Sequence, residues 1–266
     1  MSKMSESDIL DDEDQTIIRD WRIQCTTSNI VESQSHVEEI HKSGVQHINM
    51  TIIRYPGKKN YLTIPIPNPS AIYLSLAYQA KLKAGKFIFK LGKSLPDDKE
   101  FNSFPNEKVT YLFDGVEQLI SCIIFSYTAI EAFANESIPN NYHFEQLRKD
   151  KKCKEIYSKD QIERYIKLDT KLDEILPVIY SLASPKGLKL WNNFIWLEGL
   201  RDRFIHLKRT DWESISLDKG TINNIWIKLL SEEALKTPFY ALELIRYYHQ
   251  NNEPRWLRKT HIKLND

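Results

Sequence analysis

Within Leu200-Arg201-Asp202-Arg203-Phe204-Ile205-His206, an arginine and a histidine stand five positions apart with an acid between them. Those residue types suit cleavage of a phosphodiester without a metal. A histidine moves protons near neutral pH, a guanidinium clamps a phosphate with its planar fork, and a carboxylate orients an imidazole. Asp202 and His206 are four apart, so a helix would place them on one face. Arg201 lies one residue behind Asp202 and would sweep its long side chain into the same cleft. Arg201, Asp202 and His206 are therefore the candidate catalytic residues, and Arg203, Lys208 and Arg209 the candidate substrate contacts.

An arginine followed by a histidine after four to six residues is a loose pattern, and about one match is expected by chance in a chain of this composition. Arg255 and His261 form a second match. The competing reading is a solvated helix end, where Arg201, His206, Lys208 and Arg209 favour the negative end of the helix dipole.

Two helical segments must position the trio. The first contains Ser126-Tyr127-Thr128-Ala129-Ile130-Glu131-Ala132-Phe133-Ala134-Asn135-Glu136, inside a long apolar run. Glu131 and Asn135 are four apart and share a helix face. A polar pair inside an apolar helix usually marks a hydrogen-bonded network, so they are read as supporting the site. The second is the tryptophan-rich segment Trp191 to Leu200, which leads into Arg201. Leu190, Phe194, Leu197, Leu200, Phe204 and Leu207 follow one another at three- and four-residue steps, which predicts a buried helical face over Leu188 to Leu207. The Trp191, Phe194, Trp196 cluster is read as packing in a core or a subunit interface rather than as a base-stacking platform.

This order of segments resembles the HEPN superfamily, the all-helical domains found in bacterial toxins and in abortive-infection and other antiviral systems. Members often carry a Glu-Ala-x-x-Asn-like segment on one core helix. A later helix ends in Arg, a small polar residue, three variable residues and His. The resemblance covers roughly residues 106 to 250. It implies a metal-independent endoribonuclease in which the RNA 2′-hydroxyl attacks the adjacent phosphorus, with His206 as general acid or base and Arg201 as phosphate clamp. It further implies a homodimer that joins two Arg/His motifs into one composite site, and a toxin or effector role restrained by an antitoxin or a sensor protein. A catalytically inactive dimerisation or adaptor module of the same fold is the alternative.

Composition narrows the classes. The chain has 266 residues, enough for a full core, and 37 basic against 36 acidic residues, so no global nucleic-acid signature. Any RNA affinity must come from a local patch. The run Arg148 to Lys154 could supply one, although a solvated helix face explains it equally well. Cys25, Cys122 and Cys153 are widely spaced and odd in number, which suggests a reducing compartment, and Cys122 is expected to pack as a small apolar residue. No His-Glu-x-x-His, phosphate loop or Gly-x-Ser-x-Gly occurs, so no metal or cofactor is expected. The acidic, Ser-rich start is not a signal peptide, and the apolar stretch Leu119 to Ala134 is too short to span a bilayer. A soluble, cytoplasmic protein without a membrane partner is expected.

The fold class expected is mainly α: a HEPN-like helical bundle over 106–266, preceded by an α+β extension over 1–105. That extension should hold an acidic lead, a β-hairpin over 46–66 around Pro56-Gly57, and a helix over 70–84 stopped by Gly85. Phe87 to Leu91 reads as a further short strand, and Gly92 to Glu107 as the boundary. Strands should be confined to the first hundred residues. Ser158 and Gln161 have the form of a capping box opening a helix.

Overall fold

A computed structural model describes residues 20–28, 38–41, 44–54, 56–57, 59–94, 105–147, 154–206, 225–250 and 252–262. The chain is mainly helical and divides into two compact units, Met1–Ile72 with His249–Asp266, and Tyr73–Tyr248.

The first unit holds the β-prone segments. Strands β1 (Cys25–Ser28), β2 (Glu38–His41) and β3 (Gly44–Ile48) form an antiparallel sheet in the order β1-β3-β2, with Cys25 opposite Ile48 and Glu38 opposite His47. β4 (Met50–Arg54) and β5 (Tyr61–Pro65) form the expected hairpin, with Met50 opposite Pro65. Gly57 takes a left-handed φ of 77° in their connection, a conformation that costs glycine little. The expected first hairpin strand is broken in two: Ile48 closes on β1, and Met50 starts the pairing with β5.

The C-terminal tail belongs to this same unit, which differs from the expected division at residue 105. Short helix α10 (Arg255–Arg258) buries Arg255, Trp256 and Leu257. The Arg255 Nη1 donates to the Asp20 carbonyl at 3.0 Å. Asp20 also takes Arg22 Nη2 at 2.6 Å, and that guanidinium holds the Asp20 carboxyl below its ordinary range, with Arg255 adding to the effect.

Helix α1 (Pro69–Ser94) opens with Asn68, whose Oδ1 accepts the Ala71 N–H at 2.8 Å, an N-cap bond. Gly85 does not stop it, and Phe87 to Leu91 continue the helix rather than forming a strand. The reason is tertiary. Phe87 packs edge-on against Tyr111 at 4.6 Å, and Tyr73 stacks on Phe125, so the helix has a partner along its length.

That partner is α2 (Val109–Ser137), the centre of the second unit. Val116, Leu119, Cys122, Ile123, Tyr127, Ile130, Phe133 and Ala134 are buried on it, an apolar surface too wide for one neighbour to cover. Its extent bears on the membrane question. Asn106–Ser137 is long and apolar enough to cross a bilayer by length and composition, which the shorter stretch Leu119 to Ala134 is not, and half of its most apolar window is buried inside the protein.

A second departure follows α2. The segment read as short and charged is a hairpin, β6 (His143–Leu147) paired with β7 (Lys154–Ser158), so strands are not confined to the first hundred residues. Within β6 only Phe144 is buried, and a single apolar anchor in a polar strand leaves no alternation for the sequence to show. Ser158 then begins α3 (Lys159–Tyr165), its backbone N–H donating to Gln161 Oε1 at 2.9 Å in the expected capping box. Ile166 is extended, and the chain continues as α4 (Leu168–Thr170), a π turn (Lys171–Ile175) and α5 (Leu176–Tyr180).

Helix α6 (Lys189–Ile205) buries Trp191, Phe194, Leu197 and Leu200, close to the expected face, while Leu207 lies outside the described residues. Helices α7 (Ile225–Leu229), α8 (Glu232–Leu235) and α9 (Thr237–His249) complete the chain order before the tail, with Pro238 in the first turn of α9, where a missing N–H costs nothing. Phe133, Tyr180 and Tyr248 form a triangle of rings, with Phe133 6.2 and 5.7 Å from the two tyrosines and those tyrosines 5.8 Å apart. Phe133→Ala should therefore lower the unfolding free energy by about 3–5 kcal/mol, measured by urea unfolding followed by circular dichroism.

Candidate functional site

Helices α2 and α6 meet at Tyr127, which contacts Phe194, Glu198 and Arg201. Tyr127, Glu131 and Asn135 follow at four-residue steps on α2 and so form one row. Glu198, Arg201 and Asp202 occupy successive turns of α6. The contact between the two helices is aromatic: Tyr127 stacks on Phe194 with centroids 6.4 Å apart and planes 13° apart.

Arg201 is held on two sides. Its guanidinium lies over the Tyr127 ring, 4.6 Å from the centroid, and its Nη1 donates to Asp202 Oδ1 at 2.8 Å. A cation over an aromatic face is attracted by the ring quadrupole, and the pair fixes the orientation of a flexible side chain. About a quarter of the Arg201 side chain remains exposed (26%). A guanidinium has five N–H donors, so one edge spent on Asp202 leaves others for a second anion.

Asp202 thus pairs with Arg201 and not with the His206 ring. The only bond between Asp202 and His206 is the last helical one, the His206 N–H donating to the Asp202 carbonyl at 2.9 Å. His206 is the C-cap, with φ −118° and ψ 47°, so it has left the helix. That breaks the four-residue face assumed for an acid orienting the imidazole. His206 is exposed, and among the described residues no hydrogen bond or ion pair reaches its ring. Arg203 is half-buried one position beyond Asp202, and Lys208 and Arg209 lie outside the described residues.

The Glu131 and Asn135 side chains do not bond to each other. Asn135 Oδ1 accepts a hydrogen bond from Lys171 Nζ at 2.8 Å, and the Glu163 carbonyl accepts a second at 3.0 Å. Lys171 stands at the start of the π turn and is 2% exposed. Burial pushes its ammonium below the ordinary range, while Glu131 and Glu163 work against that shift. The expected network exists, with a lysine at its centre that sequence reasoning passed over.

Tyr127 and Glu198 were passed over as well. Tyr127 Oη donates to Glu198 Oε1 at 3.5 Å. Burial, reinforced by Glu198, pushes the Tyr127 phenol far upward, with Arg201 opposing. Burial also raises the Glu198 carboxyl, helped by the charges of Asp169 and Asp202, and opposed by the Tyr127 hydroxyl and Lys167. The spacing held a signal for both, since Tyr127 precedes Glu131 by one turn and Glu198 precedes Asp202 by one turn. Lys171 had none, because nothing local announces a π turn.

Cys122 packs as expected: burial pushes its thiol up to about 12, and Sγ lies 3.3 Å from Thr237 Oγ1. Trp191 is buried 5.3 Å from Phe194, and Trp196 meets Tyr240 edge-on at 6.4 Å, so the tryptophan cluster is packing. The basic run Arg148 to Lys154 is outside the described residues except for Lys154, which pairs with Glu145 across the hairpin at 3.0 Å.

No family model, curated protein or solved structure matches the chain. The reading of the site therefore rests on its own geometry.

Two outcomes follow. Because the folded Glu198 carboxyl is raised, the folded state holds the proton more tightly than the unfolded chain does. Its charge then costs stability as pH rises from about 4.5 through the raised value. Glu198→Gln, which stays neutral, should gain on the wild type across that window, read from urea midpoints at successive pH values. Asn135→Ala should cost about 1–3 kcal/mol by removing an acceptor from a buried ammonium. Adding Lys171→Met should then cost less than the sum of the single changes in a double-mutant cycle.

Proposed function

We propose that this chain is a metal-independent endoribonuclease of HEPN type, acting in the cytoplasm as a toxin or effector of an antiviral or toxin–antitoxin system. The observation that supports it best is the last turn of α6. There Arg201 is braced by Tyr127 and Asp202 with donors to spare, and His206 stands exposed at the helix end.

In the proposed reaction a general base takes the proton of the RNA 2′-hydroxyl, and the 2′-oxygen attacks the adjacent phosphorus. The bond from phosphorus to the 5′-oxygen breaks, and a general acid gives that oxygen a proton. The products are a 2′,3′-cyclic phosphate and a free 5′-hydroxyl, and no electron donor or acceptor is needed. Arg201 neutralises charge growing on the phosphoryl oxygens. One histidine cannot serve as base and acid on opposite sides of one phosphorus at once. A homodimer answers this point, with His206 of each copy taking one role. The exposed stripe Leu188, Asn192, Ile195, Gly199 and Asp202 along α6 is a surface such a copy could cover, apolar at Leu188 and Ile195 and small at Gly199. An antitoxin or a sensor protein would restrain the activity.

A second reading is favoured by one observation. The Arg201–Asp202 pair and the Tyr127 contact satisfy Arg201 structurally, as they would in a catalytically inactive HEPN-like dimerisation or adaptor module.

His206→Ala separates the two. Under the nuclease reading it lowers RNA cleavage about a hundred- to ten-thousand-fold and leaves the melting temperature nearly unchanged, because an exposed helix-end histidine contributes little to stability. Arg201→Lys should also lose most activity, since a point charge cannot reproduce a bidentate clamp. Cleavage should persist in EDTA, and DNA should resist for want of a 2′-hydroxyl. Light scattering should give a dimer that Ile195→Glu dissociates with loss of cleavage. Cleavage unchanged in His206→Ala, or a fully active monomer, would sink the composite site.

A further inference from the structure

A groove on the other half of α2 has no part in the site above. Lys83, Lys86 and Lys90 stand at three- and four-residue steps on α1 and are all exposed, so they form one row about 10 Å long. With Phe87 and Tyr111 they line an open cavity of about 410 Å³, whose other wall carries Asp114 and Glu117 of α2. Phe87 and Tyr111 meet edge-on with planes 66° apart, and Lys90 Nζ lies 5.8 Å from the Tyr111 centroid. Gly115 lets the two helices approach there: a Cβ on it would come 3.0 Å from the Phe87 Cβ. Helix α1 carries five lysines and no acidic residue, so this element is itself strongly positive in a chain of net charge +1.

We propose that this groove binds single-stranded RNA, and the proposal rests on the ribonuclease reading only for the kind of nucleic acid. A row of spaced ammonium groups follows a phosphate backbone, and aromatic rings between them offer a face or edge to a base. Asp114 and Glu117 can accept hydrogen bonds from exocyclic amino groups of bases, while they repel the carboxylates of an acidic peptide. That charge pattern, cations on one wall and carboxylates on the other, fits a strand with phosphates on one side and bases on the other. Tyr111 precedes Tyr127 by sixteen residues, about 24 Å of helix rise, so the groove is separate from Arg201 and His206.

The test is fluorescence anisotropy with a short labelled oligoadenylate, whose bases carry the exocyclic amino group, over a series of salt concentrations. Every variant is measured in the His206→Ala background, which keeps the probe intact. The triple variant Lys83→Gln/Lys86→Gln/Lys90→Gln changes only exposed side chains, and its melting curve should stay that of the wild type. It should bind at least about tenfold more weakly, and its slope of log affinity against log salt should flatten by roughly two, since each lost phosphate contact removes about 0.7. Tyr111→Leu should weaken binding about five- to hundredfold by removing a stacking ring. Unchanged affinity and slope in the triple variant overturns the proposal, as does a wild type that binds polyglutamate and not the RNA. The two readings fail separately. RNA bound through the lysines but never cut supports the groove and sinks the nuclease, whereas cutting with binding unaltered in the triple variant sinks the groove alone.

Discussion

A 29-residue helix that is apolar around most of its circumference must be covered on most of its circumference, and the second unit is built to do so. Each neighbour of α2 takes one sector. Helix α1 covers it through Tyr73 on Phe125 and Phe87 on Tyr111. Helix α6 covers it through Phe194 on Tyr127, and α9 through Tyr248 near Phe133 and Thr237 near Cys122. The aromatic contacts combine large buried area with preferred ring geometries, which fixes how each helix is rotated about its own axis. The candidate site inherits that rotation. Tyr127 belongs to the core through its stack on Phe194, and the same residue carries the Arg201 guanidinium.

Along one edge of this apolar contact runs a polar seam. Glu198, Tyr127, Arg201 and Asp202 form its part nearest the end of α6, and Lys171, Asn135 and Glu131 the other. Charges withdrawn from water are tolerated only with partners, and the seam supplies them: two oxygen acceptors for the Lys171 ammonium, a ring and a carboxylate for Arg201. The π turn at Lys171–Ile175 is part of this arrangement, since π turns inside helices often mark functional positions. Tyr248 Oη also donates to the carbonyl of Leu172 within that turn, so its irregular backbone is tied to α9.

Sign and placement of charge divide the second unit's surface into two chemically different regions. The end of α6 offers one braced guanidinium, an exposed imidazole and an exposed apolar stripe, a set suited to chemistry beside a second protein surface. The α1 row offers spaced ammonium groups over aromatic rings, suited to holding a polymer without reacting with it.

The sequence by itself determined the helical class, the apolar helix carrying Glu131 and Asn135, the buried face of α6, the hairpin at Pro56-Gly57 and the capping box at Ser158. Each follows from local terms: periodicity, φ preferences and side-chain capping bonds act over a few residues and survive in any tertiary setting. The same local terms placed Glu131 and Asn135 on one face and Arg201 beside Asp202. What only the tertiary structure decided is which partner each group takes. Gly85 reads as a stop, yet Phe87 and Tyr111 pack and the helix runs on, because contact with another helix outweighs a penalty of about 1 kcal/mol for an interior glycine. Asp202 turns to Arg201 because His206 has already left the helix. Asn135 turns to Lys171, a residue 36 positions away, and the C-terminal Arg255 turns to Asp20 at the other end of the chain. Partners so distant in sequence leave no periodic trace, because nothing ties their positions together except the packing that brings them into contact.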